Sequence, residues 1–112
     1  MPGDVSFEAG GQTYRLRYSI NALCDMEEAL GMGVRDFYRL VSSGDLRMTH
    51  VRGAFWAGLR QHQPSITKAQ AGDIIQALGG VDAATELLGE ALTRAFPPVV
   101  PGEGGGSNPP LG

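Results

Sequence analysis

The sequence has very few of the residues on which most protein chemistry depends. It contains one cysteine, Cys24, and one lysine, Lys68, and its two histidines are His50 and His62. One cysteine cannot form an intrachain disulfide, and the histidines are much farther apart than the about three to five positions typical of a shared metal. No glycine-rich phosphate loop precedes Lys68. The sequence therefore predicts no metal site, no cofactor and no catalytic residue.

An excess of positive charge and long apolar runs are also missing. Nine Lys and Arg residues are outnumbered by twelve Asp and Glu residues, and the formal net charge of -3 repels phosphate. No stretch approaches the roughly 18 apolar residues of a membrane span, and the N-terminal segment has no secretory signal pattern. We therefore expect a soluble cytoplasmic protein whose partner is neither nucleic acid nor membrane.

The apolar content is sufficient for one folded domain. Hydrophobic residues make up 42% and charged residues 19% of the 112 residues, as in ordinary globular proteins. Ten of the sixteen residues from 97 to 112 are Pro or Gly, a composition typical of flexible linkers. We predict a single helical domain over residues 1–96 and a disordered Pro/Gly-rich tail over residues 97–112.

The N-terminal segment has the alternating pattern of a β-hairpin on both sides of Gly10-Gly11. The alternating apolar residues are Val5, Phe7 and Ala9 before the glycines, and Tyr14, Leu16 and Tyr18 after them. A two-stranded hairpin is marginally stable alone. We therefore expect its apolar face to lie on the helices that follow.

Apolar residues spaced three and four apart predict five helices after the hairpin. Their clearest boundaries are a capping box of Thr67 with Gln70, and the terminating pair Gly79-Gly80. The predicted helices run from about Ile20 to Leu30, from Val34 to about Val41, from an N-cap at Thr49 to a point before Pro64, from Lys68 to Leu78 and from Val81 to Phe96. The predicted fold class is mainly α (α+β), with an N-terminal β-hairpin packed on a bundle of about five short helices.

Glu27 lies within the apolar stripe predicted for the first helix. That stripe consists of Ile20, Leu23, Cys24 and Leu30. Burying a lone carboxylate is costly. We expect a structural ion pair between Glu27 and Arg17 or Arg15 of the hairpin, rather than acid–base chemistry.

The third helix carries Arg52, Trp56 and Arg60 at four-residue spacing, about 130° from the stripe that contains Val51 and Phe55. Two guanidinium groups can sandwich an indole. A tryptophan with arginine neighbours away from the core is typical of a binding hot spot. The alternative is that Trp56 packs beneath the hairpin or the last helix. We take Arg52, Trp56 and Arg60 as candidate partner-binding residues.

Three segments resemble a known family: Tyr14-Arg15-Leu16-Arg17, the stretch ALCDMEEALG from Ala22, and FWAGLR from Phe55. They are similar to the gene transfer agent branch of the phage tail assembly chaperones, a family also labelled as a tail tube protein. The resemblance covers about Asp4 to Phe96. It implies a helical protein of a prophage or gene transfer agent, acting in the bacterial host cytoplasm, that keeps the tape-measure protein soluble until the tube polymerises around it. The implied partners are the tape-measure protein and, secondarily, the tail tube protein, and a homo-oligomer is compatible with this role.

Two other functions stay open. The first is a structural minor tail or tail tube component, although such subunits are mainly β-sheet and only two strand patterns occur here. The second is a small helix-turn-helix regulator formed by the third and fourth helices. Against it, Pro64 implies a loop of several residues, and the segment from Lys68 to Leu78 carries only one basic and one acidic residue.

Overall fold

The computed structural model describes residues 4–95 of the chain. Within this range it contains two strands and five helices, in the order β1 (Asp4–Ala9), β2 (Gln12–Arg17), α1 (Ile20–Leu30), α2 (Val34–Ser43), α3 (Met48–Leu59), α4 (Lys68–Leu78) and α5 (Val81–Ala95). The predicted mainly helical fold with an N-terminal β-hairpin is confirmed. The predicted domain limit at residue 96 and the predicted tail over residues 97–112 lie outside the described residues.

The hairpin turns at Gly10 and Gly11, whose φ angles are 58° and 81°. Positive φ at both central positions is the type I′ geometry, which glycine adopts without steric cost. Phe7 lies opposite Tyr14, and their rings stack with centroids 5.6 Å apart. Phe7 also meets the ring of Phe55 edge-on at 5.3 Å. The apolar face of the hairpin therefore rests on α3.

Helix α3 is the centre of the fold, because it contacts α1, α4, α5 and strand β2. Its buried residues include Val51 and Phe55 of the predicted stripe, together with Ala54, Gly58 and Leu59. The hydroxyl of Tyr18 donates a hydrogen bond of 2.6 Å to the carbonyl of Ala54. A Cβ on Gly58 would lie 2.7 Å from the ring of Tyr18. Small residues therefore bring the hairpin end against the backbone of α3.

Capping residues define the ends of α1 and the start of α4. The Ser19 hydroxyl accepts from the backbone N–H of Ala22 at 3.2 Å, and Gly31 ends α1 with a φ of 70°. At α4 the Thr67 hydroxyl accepts from the Gln70 N–H at 3.1 Å, while the Gln70 side chain accepts from the Thr67 N–H at 2.9 Å. The predicted capping box is therefore confirmed.

The predicted start of α3 is wrong. Arg47 occupies the N-cap position, so Thr49 lies inside the first turn. The Nδ1 atom of His50 accepts from the backbone N–H of Arg47 at 3.2 Å. The His50 side chain thus satisfies the N–H of the N-cap residue Arg47, one turn before the hydrogen bonds that an N-cap at Thr49 would make.

Helix α1 buries a face that only partly matches the predicted one, since Leu23 is buried and Leu30 packs against the core. Ala22, Leu23 and Met26 are buried, whereas Ile20 is 74% exposed and Cys24 is exposed. Apolar residues occur on more than one side of α1, so their spacing alone does not select a face. The face chosen is the one that contact with α3 buries.

The predicted ion pair of Glu27 is also wrong, because Glu27 is exposed. Its Oε2 atom accepts a hydrogen bond of 2.9 Å from the backbone N–H of Val34, at the start of α2. Arg17 instead lies 3.8 Å from a carboxylate oxygen of Asp4. The error follows directly from the rotated face of α1.

Candidate functional site

Arg52 and Trp56 lie on the side of α3 that faces α4, and Arg60, the residue after α3, lies toward α1. Arg52 is exposed, and Trp56 and Arg60 are half-buried. The side chains lie one helical turn apart along α3. Each makes different contacts with the rest of the molecule.

The indole N–H of Trp56 fixes the orientation of its ring through a hydrogen bond. The indole Nε1 donates a hydrogen bond of 2.9 Å to the carbonyl of Ile66, in the segment between α3 and α4. The guanidinium carbon of Arg60 lies 5.1 Å from the ring centroid, and the Lys68 ammonium lies 5.2 Å from it. Both distances allow cation–π attraction. Two cations thus lie over the indole, but they are Arg60 and Lys68 rather than the predicted Arg52 and Arg60.

Arg60 connects α3 to α1. Its Nη1 atom lies 3.2 Å from a carboxylate oxygen of Asp25, and the two side chains are 35% and 29% exposed. An ion pair with this much exposure contributes little to folding stability, because water and salt screen it. The Asp25 carboxylate nevertheless neutralises the charge of Arg60 within the molecule itself.

Arg52 has no such partner, because none of the ion pairs among residues 4–95 includes it. The aliphatic Cδ atom of Arg52 lies 3.4 Å from the point where a Cβ on Gly72 would be. The side chain therefore lies across α4 at the position of a glycine. Its guanidinium charge is available to another molecule.

Two facing rows of side chains form what we call the α3–α4 face. Its members are Met48, Arg52 and Trp56 on α3 and Lys68, Gly72 and Gln76 on α4. Lys68 lies over Trp56 and Gly72 lies beneath Arg52. Spacing along α3 predicted Arg52 and Trp56, whereas Met48 and the three residues of α4 were missed. Extending the four-residue spacing back from Arg52 would have found Met48.

A cleft of about 390 Å³ opens at the Met48 end of this face. Its lining residues include Met48, Val51 and Arg52 from α3, Gly72 and Ile75 from α4, and Val81 from α5. Met48 is 73% exposed. The lining is mainly apolar and adjoins the free cation of Arg52, so it can accept an apolar side chain beside a negative charge.

The histidines and carboxylates are placed elsewhere. Among residues 4–95, no group of three or more His, Cys, Asp and Glu side chains is arranged to hold a metal ion. His62 Nε2 lies 3.2 Å from a carboxylate oxygen of Asp4, and His50 caps α3. In the same part of the chain no helix is long and apolar enough to cross a membrane.

Comparison with known families places the chain among phage tail proteins. It belongs to the family described as "Phage tail tube protein, GTA-gp10", whose model matches residues 2–97. This range includes both strands and all five helices described above, and the match confirms the resemblance seen in the sequence. No curated protein and no solved structure matches the chain.

Proposed function

We propose that the protein is a tail assembly chaperone that binds the tape-measure protein in the bacterial cytoplasm, and that it is not an enzyme. The fold is the observation that carries this proposal. Within residues 4–95 the only sheet is the β1–β2 hairpin, with strands of six residues. This hairpin packs on α3, α4 and α5. A tail tube subunit that joins sheet edges is expected to be mainly β-sheet, whereas the sheet here has two strands, and such a hairpin is marginally stable without the helices beneath it.

The α3–α4 face supports a binding role. Tryptophan and arginine are enriched among the residues that dominate binding energy at protein interfaces. Arg52, Trp56 and Arg60 remain our candidate partner-binding residues, with Arg60 acting through its contact with the indole. A long helical partner can lay an apolar side into a groove of this kind.

A structural tail component is the second candidate, favoured by the words "tail tube protein" in the family description. The helix-turn-helix alternative has no comparable support. Residues 60–67 separate α3 from α4, whereas a helix-turn-helix joins its helices by about three or four residues. The chain also has a net charge of -3.

Coexpression tests the chaperone proposal. The tape-measure gene of the same tail cluster is expressed with and without this chain, and the soluble fraction is purified through a tag on the chain. We expect the tape-measure protein to be soluble and to copurify only when the chain is present. Failure of the intact chain to retain or solubilise the tape-measure protein would overturn the proposal.

The binding residues are tested in the same assay. Arg52→Ala is expected to weaken copurification and to leave the melting temperature unchanged, because Arg52 is exposed. Arg35→Ala is the matched control, since Arg35 is an exposed arginine of α2. Equal retention by both variants would exclude Arg52 from the binding surface.

A further inference from the structure

We infer that the segment bound by the α3–α4 face is an acidic amphipathic helix, with one large apolar side chain in the cleft beside Met48 and carboxylates facing Arg52 and Lys68. The inference rests on the proposed function, because it describes the part of the tape-measure protein that the chaperone holds. It adds the chemistry of that segment and the spacing of its contact residues.

Charge supports an acidic partner. The chain has a net charge of -3, yet the α3–α4 face contains the cations of Arg52 and Lys68 and no acidic side chain. Neither cation takes part in an ion pair among residues 4–95. A positive patch on an otherwise acidic molecule attracts acidic segments and disfavours basic ones. The face therefore selects a partner by the sign of its charge.

The cleft supports an apolar anchor in that partner. Val51, Ile75 and Val81 line it, and Met48 at its mouth is 73% exposed. Its volume of about 390 Å³ has room for a leucine, methionine or phenylalanine side chain. Methionine adapts its shape to the side chain that it contacts. Insertion of one anchor would bury the exposed surface of Met48.

The spacing of the face sets the pattern expected in the partner. Arg52 is one turn along α3 from Met48, and Lys68 faces Trp56, two turns from Met48. At about 1.5 Å of rise per residue, a helix lying along the face places matching side chains about four and eight positions from its anchor. A binding segment therefore has a large apolar residue with Asp or Glu about four and about seven or eight positions away on the same side.

Overlapping 20-residue peptides that cover the tape-measure protein of the same gene cluster test this inference. Trp56 is the single tryptophan of the chain and lies on the face, so its fluorescence reports binding of peptides that lack tryptophan. We expect the binding peptides to carry the apolar and acidic pattern. Replacing their Asp and Glu with Asn and Gln should weaken binding about tenfold or more.

Variants of the intact chain test whether Arg52, Lys68 and Met48 contact the bound peptide. Arg52→Glu, Lys68→Glu and Met48→Ser should each weaken binding of the best peptide by about tenfold. Arg35→Glu is the control for charge reversal. Ile20→Ser is the control for the apolar change, because Ile20 is 74% exposed and Met48 is 73% exposed. Circular dichroism verifies that each variant is folded.

The outcomes separate this inference from the chaperone proposal. If the tape-measure protein copurifies equally with the intact chain and with the three variants, the inference is wrong and the chaperone proposal stands. A preference of the chain for neutral or basic peptides would also overturn the inference of an acidic partner. Binding of a 20-base-pair DNA duplex that displaces the peptide would overturn the same inference. If neither the tape-measure protein nor its peptides bind the intact chain, both proposals fail.

Discussion

Gly58 lies so close to Tyr18 and Leu16 that there is no room for a side chain at this position. An added Cβ would lie 2.7 Å from the Tyr18 ring and 2.9 Å from Leu16. Tyr18 is buried and bonded to the backbone of α3, so it has little freedom to move aside. We expect Gly58→Ala to reduce the free energy of unfolding by about 1 to 3 kcal/mol in a denaturant titration, despite the better helix propensity of alanine.

Gly89 is the matched control for this substitution. It lies within α5, and apart from the surrounding helix backbone no heavy atom is within 4 Å of an added Cβ. Gly89→Ala should therefore stabilise the fold by about 0.5 to 1 kcal/mol. If both alanine variants were stabilised, the close approach of Tyr18 to α3 would not constrain the native structure.

Tyr18 gives the fold a sensitivity to alkaline pH. Burial raises the pKa of its phenol above the ordinary value of 10.0, because the charged form is poorly solvated inside the protein. Below about pH 10 the phenol is protonated in both states, and above it only the unfolded state loses the proton readily. The free energy of unfolding should therefore decrease as pH rises above 10, by up to about 1.4 kcal/mol per pH unit.

Tyr18→Phe isolates this contribution. The variant lacks the hydrogen bond to Ala54, so its stability at neutral pH should be lower by about 1 kcal/mol. Its stability should also fall less steeply between pH 10 and 11 in urea titrations, because no phenol is buried there. An unchanged slope would assign the alkaline loss to other groups.

Helix α2 depends on a side chain from α1 for its first turn. Gly33 at its N-cap offers no side-chain acceptor, and the Glu27 carboxylate accepts from the N–H of Val34 instead. A negative charge at this end also interacts favourably with the helix dipole. We expect Glu27→Ala to reduce the free energy of unfolding by about 1 kcal/mol.

Two further variants check this role. Glu27→Gln keeps an oxygen acceptor and loses the charge, so its effect should be smaller than that of alanine. Glu28→Ala is the control, because Glu28 is an exposed neighbour in the same helix. Thermal unfolding of the three variants should rank Glu27→Ala as the least stable. Equal losses for both alanine variants would contradict the capping role.

The helix ends were more predictable from the sequence than the buried faces. Ser19, Gly31 and Thr67 act on their own neighbours in the chain, so their roles are local and visible as short motifs. The face of α1 is decided by α3, which is distant in sequence. Ile20 and Met26 are both apolar, and only packing shows that Met26 is buried while Ile20 is exposed.

In the candidate site, too, the features within one helix were predictable and the contacts between helices were not. Four-residue spacing correctly placed Arg52 and Trp56 outside the fully buried stripe of α3. It could not show that Lys68 lies over the indole or that Asp25 pairs with Arg60. Both contacts join different helices, and spacing within one helix carries no information about its neighbours.

The whole described domain is arranged around α3. The hairpin contacts α3, α4 and α5, while α1 also packs on α3. The α3–α4 face is left with a free arginine and a largely exposed methionine. Among the described residues, the packed helices thus present the α3–α4 face that we propose as the binding surface, and the two-stranded sheet is not extended further.

The proposed chaperone function predicts where the protein is found when assembly is complete. A chaperone leaves once the tube has formed around the tape-measure protein, so the chain should be abundant in lysates of producing cells and nearly absent from purified particles. Quantitative mass spectrometry of both fractions measures this, with the tape-measure protein as the internal reference. Detection in the lysate controls for expression. A copy number in particles comparable to that of the major tail protein would contradict the chaperone role and assign the chain to the tail structure itself.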